Sequence, residues 1–266
     1  MSVKLRSARQ QFEVKQRLIF ALDVASLAEV KAYVALLKDE VGLFKVGKQL
    51  FLHGGPQVVR SIQQKGGRVF LDLKFHDIPR TVANASVEAA RLGVQMLNLH
   101  AAGGLTMMQE TVSAVNKTCK AERLQRPTLL AVTVLTSLDK DDLKRTGIGA
   151  TVETQVARLA ALARDAGMDG VVASPLEIAR LRRECGKQFL LVVPGVRSQG
   201  ETWDDQKRVL TPEEAIRAGA NYLVVGKPIR DAHDPRLAAR QIVQEMTQGL
   251  VAGQRLISSV RRASAA

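Results

Sequence analysis

Cysteine, aromatic residues and long apolar runs are all scarce in this sequence, and each shortage closes off a class of protein. The 266 residues hold two cysteines, Cys119 and Cys185, with no ligand-like spacing between them. That argues against a disulfide framework and against a metal site, and points to a reducing compartment. Aromatic residues make up 4%, few platforms for single-stranded nucleic acid to stack on. The basic first residues carry no apolar signal-peptide core, and no stretch approaches the length of a membrane span. A cytoplasmic protein is expected, with neither membrane nor nucleic acid among its partners.

Acidic residues are also short, 26 against 39 Lys and Arg, for a net charge of +13. Much of the excess sits at the ends: Lys4, Arg6, Arg9, Lys15 and Arg17 at one, Arg255, Arg261 and Arg262 at the other. Solvated termini explain this more simply than an arm for RNA or lipid. The expected division is a basic N-terminal extension over 1–16, one folded domain over 17–250 and a basic C-terminal tail over 251–266.

What is present is an ordinary globular composition, 46% hydrophobic and 24% charged, in a chain long enough for one large domain. Short apolar strands alternate with amphipathic helices, which implies a parallel sheet. Eight strands are predicted: Arg17–Val24, Leu43–Val46, Arg68–Lys74, Met96–His100, Thr128–Thr136, Gly170–Ala173, Phe189–Pro194 and Tyr222–Val225. Helix starts are signalled by Ser26-x-x-Glu29, Ser174-Pro175-x-Glu177 and Thr211-Pro212-x-Glu214, in which a hydroxyl and a carboxylate can satisfy orphan amides reciprocally. Helix ends are signalled by Gly93, Gly167, Gly186 and Gly219. Eight strand–helix units, with no Gly-x-Gly-x-x-Gly after the first strand, predict an α/β fold of the single-domain (β/α)8 TIM-barrel type rather than a doubly wound sheet.

In such a barrel the chemistry belongs at the C-terminal ends of the strands. Polar residues fall there: Asp23, Lys45, Asp72 with Lys74, His100 and Thr136. Any one of them can be a strand end that has reached solvent, and His100 reads most simply that way. Five strands doing so together point to a shared mouth. Alternation along a strand puts Asp72 and Lys74 on one face. An Asp-x-Lys alone would read as a structural ion pair; Asp23 and Lys45 arriving at the same mouth argue for more.

The run Asp72-Leu73-Lys74-Phe75-His76-Asp77-Ile78-Pro79-Arg80-Thr81 resembles the signature of the orotidine 5′-monophosphate decarboxylase family. Further segments agree in order, among them Phe44-Lys45-Val46-Gly47, Leu97-Asn98-Leu99-His100-Ala101, Val193-Pro194-Gly195-Val196-Arg197 and Val225-Gly226-Lys227-Pro228-Ile229. The likeness spans about residue 17 to about residue 245. It implies conversion of orotidine 5′-monophosphate to uridine 5′-monophosphate and carbon dioxide in de novo pyrimidine biosynthesis, without metal or organic cofactor. By resemblance Lys74 is the proton donor, Asp72 the neighbouring carboxylate, and Lys45 and Asp77 complete an alternating array. Asp77 and Thr81 would reach the site of a partner subunit, which implies a homodimer. Asp23 would bind the ribose, Thr136 the pyrimidine edge, and Arg197 and Gln206 would lie on a lid. Gly226 and Lys227 would hold the phosphate; the family usually places arginine where Lys227 stands, and a lysine offers a point charge in place of a planar fork. Two rivals remain: a related sugar-phosphate barrel of the 3-keto-gulonate 6-phosphate decarboxylase or hexulose-phosphate synthase type, and a basic nucleic-acid-binding barrel without catalysis.

Overall fold

The computed structural model describes the backbone of residues 11–197 and 210–263 and side chains as far as residue 253. Eight parallel strands close into a barrel in chain order: β1 (Leu18–Ala21), β2 (Leu43–Gly47), β3 (Val69–Phe75), β4 (Met96–His100), β5 (Thr128–Val132), β6 (Gly170–Val172), β7 (Leu190–Pro194) and β8 (Tyr222–Val225). Around them lie α1 (Leu27–Leu37), α2 (Lys48–Gly54), α3 (Pro56–Gln64), α4 (Pro79–Arg91), α5 (Leu105–Glu122), α6 (Lys140–Arg145), α7 (Val152–Asp165), α8 (Ile178–Cys185), α9 (Pro212–Ala218), α10 (Lys227–Arg230) and α11 (Pro235–Ala263). No helix of the described residues is long and apolar enough to cross a membrane.

Alternation sorts the strands into two buried layers. Leu18, Phe20 and Leu22 pack outward under the helices, with Phe44, Val46, Leu97 and Leu99. Ile19 and Ala21 face inward with Leu43, Phe70, Met96, Leu130, Val192 and Val224, and fill the barrel. Strands buried on both faces have no polar side to show, which is why they read as continuous apolar runs. The inward positions matter for function, because the same alternation carried one step further reaches Asp23, Lys45, Asp72 and Asn98.

The start signals hold with local differences. Ser26 accepts the Glu29 N–H, and Glu29 reaches back to the Ala25 N–H. Thr211 and Glu214 satisfy each other's amides at the head of α9. At Ser174 the expected helix start is instead a 3₁₀ turn over Pro175–Glu177, closed by Glu177 N–H to Ser174 O, and α8 begins only at Ile178. Gly219 closes α9 with φ 114°, a conformation that would strain a side chain.

Strand ends at β2, β3, β6 and β7 differ from the predicted ones by one residue, and larger differences fall at β1 and β5. The first strand is the four residues Leu18–Ala21, shorter than predicted. The fifth stops at Val132, not Thr136: its neighbour β6 ends at Val172, and both the N–H and the Oγ1 of Thr133 turn to the Val172 carbonyl, at 3.2 and 3.0 Å. The last helix runs on to Ala263, through the boundary expected at 250. Gly249 lies inside it and permits close approach to α9, since a Cβ there would meet the Glu213 carbonyl at 2.3 Å.

Candidate active site

The mouth is built by the inward positions of β1 to β4, where apolar side chains give way to polar and charged ones. Lys45 Nζ lies 3.3 Å from Asp23 Oδ1 and 3.5 Å from Asp72 Oδ2, and Lys74 Nζ lies 2.5 Å from Asp72 Oδ1. The result is an alternating row, Asp23, Lys45, Asp72, Lys74. Asp72 is its buried centre, with 11% of its side chain exposed against 54% for Asp23. Burial by itself pushes the Asp72 carboxyl up. The charges of Lys45 and Lys74, and hydrogen bonds from Lys74 and Asn98, overcome that and hold it below the ordinary carboxylate value.

Lys74 departs from a regular strand. Its φ is 52°, and the β3–β4 register jumps between Leu71↔Leu97 and Phe75↔Leu99, so β3 spends two more residues there than its neighbour. A bulge of this kind re-aims a side chain. The Lys74 N–H donates to Asn98 Oδ1 at 2.9 Å, and Asn98 Nδ2 donates to Asp72 Oδ1 at 2.7 Å.

Two adjoining cavities meet at Lys45, Asp72 and Lys74. The first, of 280 Å³, is the more polar of the two, with Asp23, Lys48 and Gln49 in its wall. The second, of 240 Å³, is lined by Phe70, Val132, Val172 and Val224, with Asn98 and Thr136 among them. An apolar chamber with a few convergent polar groups suits a flat organic ring, and the polar chamber suits a hydroxylated, charged remainder. Charges beside the apolar chamber act in a poorer dielectric than water supplies.

The remaining expected residues divide. Thr136 reaches the second cavity although it lies beyond β5. Gly226 lies against the row: a Cβ there would stand 3.5 Å from Asp23 Oδ2. Lys227 begins α10 and is exposed. Arg230 donates to the Asp23 carbonyl at 3.0 Å and pairs with Asp231 at 2.6 Å. Arg197 is half-buried and donates to the adjacent Val196 carbonyl. Gln206 lies outside the described residues, as does most of the expected lid. Asp77 and Thr81 are exposed on the loop after β3 and at the start of α4; Asp77 Oδ1 accepts the Ile78 N–H at 2.6 Å, and within this chain neither joins the row.

His100 does not simply reach solvent. It is half-buried against His76, ring centroids 5.4 Å apart, and lines neither cavity. Burial first, then the charges of His76, Lys48 and Lys74, lower it to about 4. Asn98, inside the segment Leu97-Asn98-Leu99-His100-Ala101, has no role under the family resemblance, yet it stands in the row. Its signal was available: a polar residue one step inward from Met96 in a strand otherwise apolar.

Comparison with known proteins agrees with this geometry. The sequence profile described as "Orotidine 5'-phosphate decarboxylase / HUMPS family" matches residues 16–242. The orotidine 5′-phosphate decarboxylase of Pelobacter propionicus is 54% identical over 237 residues, 89% of this chain and 98% of its own length. That of Geobacter sulfurreducens is 55% identical over the same shares. The crystal structure of orotidine 5′-phosphate decarboxylase from Lactobacillus acidophilus superposes with a TM-score of 0.77 at 35% identity, covering 86% of this chain and 98% of that one. These likenesses do not favour the sugar-phosphate alternative or the non-catalytic barrel. Match and fold together leave one assignment: the chain belongs to the orotidine 5′-phosphate decarboxylase / HUMPS family.

Proposed function

We propose that this chain converts orotidine 5′-phosphate to uridine 5′-phosphate and carbon dioxide, a step of de novo pyrimidine biosynthesis. One observation carries the reading: an ammonium and a deeply placed, ionised carboxylate, 2.5 Å apart, stand at the edge of an apolar chamber of ring size. The bond from the pyrimidine ring to its carboxylate breaks heterolytically. Carbon dioxide leaves, and the electron pair stays on the ring carbon. The Lys74 ammonium stabilises that charge and delivers a proton to the same carbon. The neutral amine then recovers a proton from water.

Asp72 keeps the Lys74 ammonium in place. It also sets a negative charge against the substrate carboxylate, a contact relieved as carbon dioxide departs. Lys45 balances Asp72 and Asp23, and Asp23 with the polar chamber takes the ribose hydroxyls. Thr136 takes the pyrimidine edge. Gly226 and Lys227 take the phosphate at the end of β8, where barrels commonly bind it, and Arg197 and Gln206 belong to a covering segment. The reading assigns the chemistry to side chains and needs neither metal nor organic cofactor.

The working form is a cytoplasmic homodimer, with Asp77 and Thr81 of each chain serving the other's site. Support comes from apolar side chains on segments that follow β2 and β3: Leu52 and Ile78 are 85% and 67% exposed, and Ile78 adjoins Asp77 in the chain. A subunit contact on this side of the barrel would cover both.

The test is the loss of orotidine 5′-phosphate absorbance with purified protein in excess chelator. Turnover should persist there and vanish in Lys74→Ala. Turnover absent from the wild type, or abolished by the chelator, overturns the reading.

A further inference from the structure

Asn98 is a buried amide, 1% exposed, that uses both ends of its side chain at the centre of the row. Oδ1 accepts the Lys74 N–H, and Nδ2 donates to the Asp72 oxygen that also takes the Lys74 ammonium. Reversing the amide would set a donor against the N–H and an acceptor against the carboxylate, so the two contacts fix its orientation.

These bonds fall where β3 leaves its ladder. A non-glycine residue at φ 52° is held there only if its surroundings over-determine it. Two anchors are on hand. The Asn98 carbonyl oxygen takes the amide that the bulge displaces, and the Asn98 amino group steadies the carboxylate that pulls the ammonium inward. Remove both, and the Lys74 amide loses its side-chain acceptor in a half-buried setting. Relaxation of the backbone toward the extended region then swings the Lys74 side chain out of line.

We infer that Asn98 is a positioning residue: it fixes the left-handed backbone of Lys74 and the Asp72 carboxylate together, and so sets where the Lys74 ammonium meets the reacting carbon. The inference rests on the decarboxylase reading. It is specific to asparagine among side chains of its size. Aspartate keeps an acceptor for the Lys74 N–H but sets a second carboxylate against Asp72; leucine keeps the shape and loses both bonds; serine is too short to bridge the two.

The test compares wild type, Asn98→Ala and Asn98→Asp for kcat, KM, thermal unfolding and the pH profile of kcat. A misplacement of a reacting group by about 1 Å costs on the order of a hundredfold. Asn98→Ala should therefore lose roughly ten- to a hundredfold in kcat while KM stays within about threefold. In Asn98→Asp two neighbouring carboxylates favour uptake of a shared proton, so the acid limb of kcat should move to higher pH by about one unit or more. Variants that only unfold earlier, with kcat within about twofold of wild type, would make Asn98 purely structural and overturn the inference. A raised KM with kcat retained would make it a substrate contact and overturn it equally. If Asn98→Ala does not fold, a wild-type pH profile in Asn98→Asp overturns it alone. A wild type without turnover sinks the decarboxylase reading and this inference with it, whereas an active wild type with unaffected variants sinks the inference only.

Discussion

Replacing Lys74 by glycine and by alanine separates its chemical role from its backbone strain. Both variants lose the ammonium and its 2.5 Å contact with Asp72, so that loss cancels between them. What differs is the cost of holding φ at 52°. For a residue with a Cβ the left-handed region costs roughly 1–2 kcal/mol, and for glycine almost nothing. Against this, glycine gives up roughly 0.4–1 kcal/mol of stability through its freer unfolded chain. The difference leaves Lys74→Gly more stable than Lys74→Ala by about 0.5–1 kcal/mol. In a domain of this size that is about 1–4 °C in Tm. The sign carries the result, because at an ordinary strand position alanine is the more stable of the two. Urea unfolding of both proteins, followed by circular dichroism, measures it. Equal stabilities, or alanine ahead of glycine, would refute the strained backbone at Lys74 and with it the re-aiming of that side chain by the bulge. Neither variant should decarboxylate.

Three other outcomes are expected. Asp77→Ala and Lys74→Ala, each inactive alone, should regain activity on mixing after subunit exchange, since one site in the mixed dimer is then intact; a mixture that stays inactive despite demonstrated exchange counts against shared sites. Lys227→Ala should lower kcat/KM by about one to two powers of ten, the worth of a charge-assisted hydrogen bond, and Lys227→Arg should preserve it; an equal loss with a nucleoside lacking phosphate would show that Lys227 does not serve the phosphate. His100 is lowered from 6.5 to about 4 in the folded chain, so between those values the unfolded chain binds the extra proton. Stability present above about pH 6.5 is then eroded as pH falls toward 4, and His100→Gln should flatten that dependence in urea midpoints taken at pH 7 and about 4.5; an unchanged slope would remove His100 as its source.

Much of the charged row was legible in the one-dimensional pattern. Inward positions recur at every second residue of a strand, so Asp23, Lys45 and Asp72 could be assigned to one mouth once eight strands were recognised, and helix ends at Gly93 and Gly219 follow from residue chemistry alone. Asn98 was legible by the same parity, but nothing local says that an inward polar residue is bonded to another strand.

Four features were decided only in three dimensions. The bulge that turns Lys74 to φ 52° depends on the register between β3 and β4, a non-local property. The stop of β5 at Val132 was set by the length of β6 beside it, not by the apolar run from Thr128 to Val134. The depressed Asp72 carboxyl depends on Lys45, Lys74 and Asn98 gathered from three strands, and the lowered His100 on its burial against His76. Sequence by itself determined which residue types stand at the strand ends and in what alternation, because propensity and periodicity act over a few neighbouring residues. Tertiary structure decided distances, protonation and strain, because those arise between segments that meet only when the barrel closes.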